Sequence, residues 1–264
     1  MRRCWLLLLL ALLAMLATVG AWAQSRQVVD LATRPAVSQR YLLLSPAHFD
    51  ATLVLLVGGG GRLAIADDGT LGAGAGNFLA RSSTLFLEQG LAVALVDVPS
   101  DRQGAPYLSG FRQSPEHATD LRAVMADVRR RTARPVVLVG TSRGTQSAAA
   151  VAIATAEAGG PDALVLTSSV LSDPKSRALP QMELDALRLP LLLVHHELDH
   201  CRVCQYADLP LLTAALKTPF TLRTYQGGIS TGDPCEAYAY HGYNGIEARV
   251  VQDIAAWIRS VLPR

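Results

Sequence analysis

The stretch Pro135-Val136-Val137-Leu138-Val139-Gly140-Thr141-Ser142-Arg143-Gly144-Thr145 leaves the chain few ways to fold. Its unbroken apolar, β-branched start reads as a strand buried on both faces, the environment of a central parallel strand. That strand runs directly into Gly-x-Ser-x-Gly. Residues 143–158 are Ala-rich and free of proline, and they close on Gly159-Gly160-Pro161, which is a helix followed by its stop signal. Strand, sharp turn and helix thus follow one another without a linker. Gly140 and Gly144 give the room that such a turn and close helix-on-strand packing need. Ser142 is expected at the apex, its hydroxyl clear of the backbone.

The rest of the chain alternates in the same manner. Strands are expected at residues 28–32, 40–45, 52–57, 91–98, 163–167, 191–194 and 220–225, and helices at 77–89, 115–131, 207–216 and 246–262. In the helix at 115–131, Ala118, Leu121, Met125 and Val128 recur at helical spacing, while Arg122, Arg129 and Arg130 face water. Alternation with short connections implies an α/β fold, a mostly parallel central sheet with helices on both faces. No linker, repeat or low-complexity tract divides it. Gly72-Ala73-Gly74-Ala75-Gly76 imitates a dinucleotide fingerprint, but it follows a polar turn with the wrong spacing and reads as a loop.

Residues 1–23 open on Met1-Arg2-Arg3, continue through an apolar stretch and end on Ala21-Trp22-Ala23, the three parts of a secretory signal peptide. Cleavage there would leave a single catalytic-size domain, residues 24–264, exported to the periplasm or beyond. It would also remove two arginines and no acid, taking the formal charge from +2 to zero. Nothing basic then remains to recruit nucleic acid or an anionic membrane surface.

A serine hydroxyl is a poor nucleophile at neutral pH, so it needs a histidine to accept its proton and a carboxylate to hold that histidine in one tautomer. The strand at 191–194 runs into His195-His196-Glu197-Leu198-Asp199, and a carboxylate just beyond a strand's carboxyl end shares the sheet edge with Ser142. Asp199 is the expected acid, with Glu197 in reserve. Of the six histidines, His241 lies in a loop just ahead of the last helix, where the chain returns across the sheet, and is the expected base. His195, His196, His200, His117 and His48 are assigned to structural or solvated roles. An oxyanion needs backbone amides that no side chain obstructs. Gly58-Gly59-Gly60-Gly61 after the strand at 52–57 supplies one donor, Gly59 or Gly60, and the amide of Arg143 the other. Asp101 and Arg102 end a strand on the same edge and read as a structural ion pair.

Cys201, Cys204 and Cys235 remain once Cys4 is removed with the leader. An oxidising compartment then permits one disulfide and one free thiol. Cys201 with Cys235 is the expected pair, joining the loops that carry the acid and the histidine. Cys201-x-x-Cys204 as a redox pair lacks a thioredoxin-like context, and no ligand spacing suggests a metal. No cofactor is called for.

Together, GTSRG, the GGGG loop after a strand, HHELD and the closing HGYNGIEARVVQDIAAWI resemble the α/β-hydrolase family over nearly all of residues 24–264. The order Ser142, Asp199, His241 is that family's order. The resemblance implies acyl transfer to water through an acyl-enzyme on Ser142. The chain departs from it in lacking a histidine ahead of the glycines and in carrying bulky Arg143 beside the serine. With only about 20 residues between the strands at 163–167 and 191–194, little material exists for a lid. The expected activity is hydrolysis of a small-molecule carboxylic ester. Peptidase, amidase or thioesterase action uses the same logic. A catalytically silent binding protein and a thiol oxidoreductase are the competing classes.

Overall fold

A computed structural model describes residues 24–262. The leader assigned to residues 1–23 lies outside the described residues. Eight strands form one sheet in the order β1-β2-β4-β3-β5-β6-β7-β8. They are β1 (Ser25–Arg34), β2 (Val37–Ser45), β3 (Thr52–Leu56), β4 (Ala92–Val96), β5 (Val136–Thr141), β6 (Ala163–Thr167), β7 (Leu191–His196) and β8 (Phe220–Tyr225). β1 and β2 form an antiparallel hairpin, and β2 joins β4 antiparallel. From β4 through β8 every pairing is parallel.

Parallel strands require crossovers, and the helices that make them cover both faces. They are α1 (Phe78–Arg81), α2 (Ser83–Glu88), α3 (Pro115–Thr132), α4 (Arg143–Ala154), α5 (Leu209–Ala215) and α6 (Glu247–Val261). Alternate residues of each strand feed opposite cores. Val54 and Leu56 of β3 pack with Leu121, Met125 and Val128 of α3 and Ala148, Ala149 and Ala152 of α4. Leu53 and Leu55 pack with Phe78 and Leu79 of α1, Phe86 of α2 and Val250, Ile254 and Ile258 of α6. Each fully buried Leu or Ile is worth about 1.5–3 kcal/mol, so this two-sided burial dominates the stability of the sheet.

The single helix expected at 77–89 is two helices. Asn77 caps α1 through its side chain, and the backbone turns at Ser82 before α2 starts. The helix expected from residue 207 begins instead as a 3-10 turn, Tyr206–Asp208, and Pro210 sits in the first turn of α5, where its missing N–H costs no hydrogen bond. α3 begins on a Ser114 side chain that accepts from the His117 amide.

The sheet order reverses at β3. The chain leaves β3 toward β4 on one side and returns to β5 on the other, and such a reversal opens a crevice beyond the carboxyl ends of the strands. The glycine run, Ser142 and Asp199 follow the carboxyl ends of β3, β5 and β7.

Candidate active site

Ser142 stands between β5 and α4 with φ at 52° and ψ at −128°, a conformation costly for a residue with a side chain. Packing enforces it. A Cβ on Gly144 would lie 2.0 Å from the carbonyl oxygen of Leu56, and one on Gly140 would lie 2.5 Å from that of Gly144. Only glycine allows α4 to seat this closely against β3 and β5. The Ser142 amide donates to Thr167 O at 3.0 Å, and its carbonyl accepts from the Thr145 amide at 2.9 Å, which fixes the turn at both ends.

Asp199 follows β7 and is fully enclosed. Its Oδ1 accepts from the Cys201 amide at 2.9 Å, and its Oδ2 lies 2.8 Å from His241 Nδ1. His195 also reaches it, with Nε2 3.5 Å from Oδ2 while bonding Cys204 O at 2.8 Å. Burial alone would push the Asp199 carboxyl up, but hydrogen bonds from His195 and His241 outweigh it and hold the group at about 2. Asp199 is therefore ionised at neutral pH. An ionised carboxylate accepts from His241 Nδ1–H, which leaves Nε2 with its lone pair. Glu197, the reserve acid, is turned away onto Thr224 and Gln226.

His241 lies on a single 3-10 turn, Tyr240–Gly242, in the long connection from β8 to α6. Its carbonyl accepts from Ser168 Oγ at 2.7 Å, and the Ser168 amide donates to Tyr243 Oη at 3.0 Å. Tyr243 is fully buried and donates in turn to Val194 O at 2.9 Å. From the other side Arg81 donates to Gly242 O at 2.6 Å and pairs with Glu247 at 2.9 Å. The turn is thus tied to β6, β7, α1 and α6.

The expected disulfide is present: Cys201 and Cys235 are bonded, their Cα atoms 4.4 Å apart, linking the Asp199 loop to the His241 connection. Cys204 is a free, buried thiol, so the Cys201–Cys204 redox pair is not formed. Burial, with the nearby charge of Asp199, pushes that thiol well above its usual range. Among the described residues, no hydrogen bond joins the Ser142 hydroxyl to His241. The two residues instead line one cavity of about 560 Å³, together with the glycine run and Tyr107.

Gly61 donates its amide to Gly58 O at 3.0 Å, whereas the amides of Gly59 and Gly60 have no acceptor among the described residues. Behind the run lies Arg112, which the sequence reading missed. Its guanidinium is buried without a carboxylate and donates to Val57 O at 3.2 Å, Gly59 O at 3.0 Å and Ser147 Oγ at 2.8 Å. Ser147 Oγ is 3.0 Å from His117 Nε2. Burial pushes Arg112 down to about 9 and, with the charge of Arg112, His117 down to about 3. At neutral pH the arginine remains cationic and the histidine neutral. A lone arginine in a loop has no pattern that would have revealed this clamp.

Arg143 does not crowd Ser142. Its side chain turns to Asp173 at 2.7 Å, leaving its amide beside Ser142. Asp101 pairs with Arg34, and Arg102 packs over the Phe111 ring, so neither lines the cavity. The loop at 72–76 contributes Ala73, Gly74 and Gly76 to the cavity wall.

This architecture is the α/β-hydrolase fold, with no separate lid among the described residues. A dienelactone hydrolase from Anabaena variabilis matches over 91% of this chain and 99% of its own, with a TM-score of 0.62 and 16% identity. An α/β serine hydrolase without lid from Xanthomonas campestris matches over 91% and 96%, with a TM-score of 0.59 and 16% identity. An esterase from Pyrococcus furiosus matches over 91% and 94%, with a TM-score of 0.63 and 13% identity. No protein-family model and no curated protein sequence matches the chain. Among the described residues no helix is long and apolar enough to cross a membrane.

Proposed function

We propose that the chain is an exported serine hydrolase that cleaves a carboxylic ester, or a closely related acyl bond, through an acyl-enzyme on Ser142. The observation that carries this reading is the 2.8 Å contact between enclosed, ionised Asp199 and His241 Nδ1, at the wall of the cavity that Ser142 also lines. That contact sets the tautomer a general base requires.

In the reaction, the Ser142 hydroxyl turns to His241 Nε2, a contact that commonly tightens only when substrate is bound. Ser142 Oγ attacks the acyl carbon as its proton passes to Nε2. Amides of Arg143 and of Gly59 or Gly60 stabilise the oxyanion. The imidazolium then protonates the departing alcohol, and the C–O bond breaks to leave the acyl-enzyme. Water, deprotonated by His241, attacks that ester, and the acid leaves as Ser142 regains its proton.

A fluorophosphonate probe tests the proposal. Covalent capture by the native chain and none by Ser142→Ala is expected, with turnover of short 4-nitrophenyl esters lost in the same variant. A folded native chain that resists the probe would overturn it and leave a silent binding protein. Export is supported by the disulfide. A mature protein beginning at Gln24, read by mass spectrometry after secretion, is the expected result.

A further inference from the structure

The walls of the Ser142 cavity carry two charged side chains, Arg62 and Glu236. Arg62 follows the glycine run directly. Its Nε is buried without a hydrogen-bond partner, and among the described residues the side chain makes no ion pair. The guanidinium carbon sits 5.9 Å from the centre of the Tyr107 ring, another wall of the cavity, so the group is braced against an aromatic face. Other arginines near the site are committed: Arg81 to Glu247, Arg143 to Asp173, and Arg112 to the glycine-run carbonyls and Ser147. Glu236 is exposed and pairs with no cation among the described residues, so it does not cancel the charge of Arg62.

The buried Nε is closed to a ligand, but among the described residues no hydrogen bond or ion pair takes up the terminal amino groups of this half-buried guanidinium, which are free to bond acceptor oxygens that enter the cavity. The planar fork suits a carboxylate, which takes two parallel N–H bonds. We infer that Arg62 is an anion subsite of this cavity and that the substrate is an ester bearing a free carboxylate. This rests on the reading of Ser142 as nucleophile. Glu236 repels a carboxylate at its own position, which directs the acid toward Arg62.

The test compares matched esters: 4-nitrophenyl hexanoate against mono-4-nitrophenyl adipate for a carboxylate in the acyl part, and phenyl acetate against 4-carboxyphenyl acetate for one in the alcohol part. The native chain is expected to prefer the acidic member of at least one pair in kcat/KM. Arg62→Met, which keeps an apolar stem, is expected to lose that preference about ten- to a hundredfold, as for a charge-assisted bond. Neutral-ester rates should stay within about twofold of native. No preference in the native chain, or an equal fall for both members in Arg62→Met, overturns the subsite while neutral turnover preserves the hydrolase reading. If no ester is turned over, calorimetric titration of the native chain with monomethyl adipate replaces the assay. Binding that Arg62→Met abolishes supports the subsite, and absent binding, or binding unchanged in Arg62→Met, overturns it.

Discussion

Replacing Arg112 by methionine separates stability from catalysis at the glycine run. Three acceptors lose a charged donor: Val57 O, Gly59 O and Ser147 Oγ. Bonds from a charged group are worth about 1.5–3 kcal/mol each, so the gross loss is about 5–9 kcal/mol. Removing a buried cation that has no carboxylate recovers a desolvation cost of several kcal/mol. The two nearly offset, and a net loss of about 1–3 kcal/mol in a urea melt is expected. No such offset applies to the rate. A trans peptide sets its N–H opposite its C=O, so the bond to Gly59 O aims the Gly60 amide away from Arg112. One oxyanion donor is worth about 10²–10³ in kcat, and a loosened run forfeits part of that. Arg112→Met should lower kcat about 10–100-fold on 4-nitrophenyl butyrate with KM nearly unchanged, since the oxyanion exists only in the transition state. A folded variant whose kcat stays within about twofold of native, or whose loss lies wholly in KM, refutes the argument.

Asp199→Asn should cost about 10⁴ in kcat, because an amide does not hold His241 in the required tautomer; steady-state kinetics on the same ester check this. Acid should lower the stability of the fold over two pH windows, read from urea melts at each pH. His117, held down at about 3 by burial, stays neutral in the fold while the unfolded chain takes up a proton, so its contribution is lost as pH falls from about 6.5 to 3. Asp199, held at about 2, contributes about 2 kcal/mol that is present above about 4 and lost as pH falls toward 2. His117→Asn should remove the first window. Gly144→Ala places a methyl against Leu56 O and should destabilise by about 2–3 kcal/mol or more in denaturant. Breaking the Cys201–Cys235 bridge, which spans 34 residues, should cost about 3–4 kcal/mol by loop-closure entropy, read as a lower melting temperature in Cys235→Ser.

The strands were legible because each parallel strand is buried on both faces and therefore reads as one apolar run, as in Leu138 and Val139 of β5. Their order was not, since β4 and β5 are alike in composition and nothing local says which side of β3 each takes. The break at Ser82 was hidden for a similar reason: Phe78, Leu79 and Phe86 face one core from both helices and keep an apparent helical period. The Ser142, Asp199 and His241 assignments came from strand ends and chain order, which a sequence displays. The supporting groups Ser168, Tyr243 and Arg112 had no such signal, because their hydrogen bonds join segments far apart in the chain.

Those supporting groups also explain how the site treats positive charge. Arg143, next to Ser142 in sequence, is matched by Asp173, which its hydrogen bond helps hold at about 2 against burial. Its cation is thereby withdrawn and only its amide is offered. Arg112 is left without a carboxylate, and its field passes through the peptides it binds. Donation to a carbonyl strengthens the N–H at the other end of the same peptide. A lysine at 112 would carry the same charge but lack the planar fork, so it would serve fewer of these acceptors. Arg112→Lys should therefore recover stability more fully than kcat, whereas full recovery of both would mean that charge alone, and not the orientation of the run, matters there.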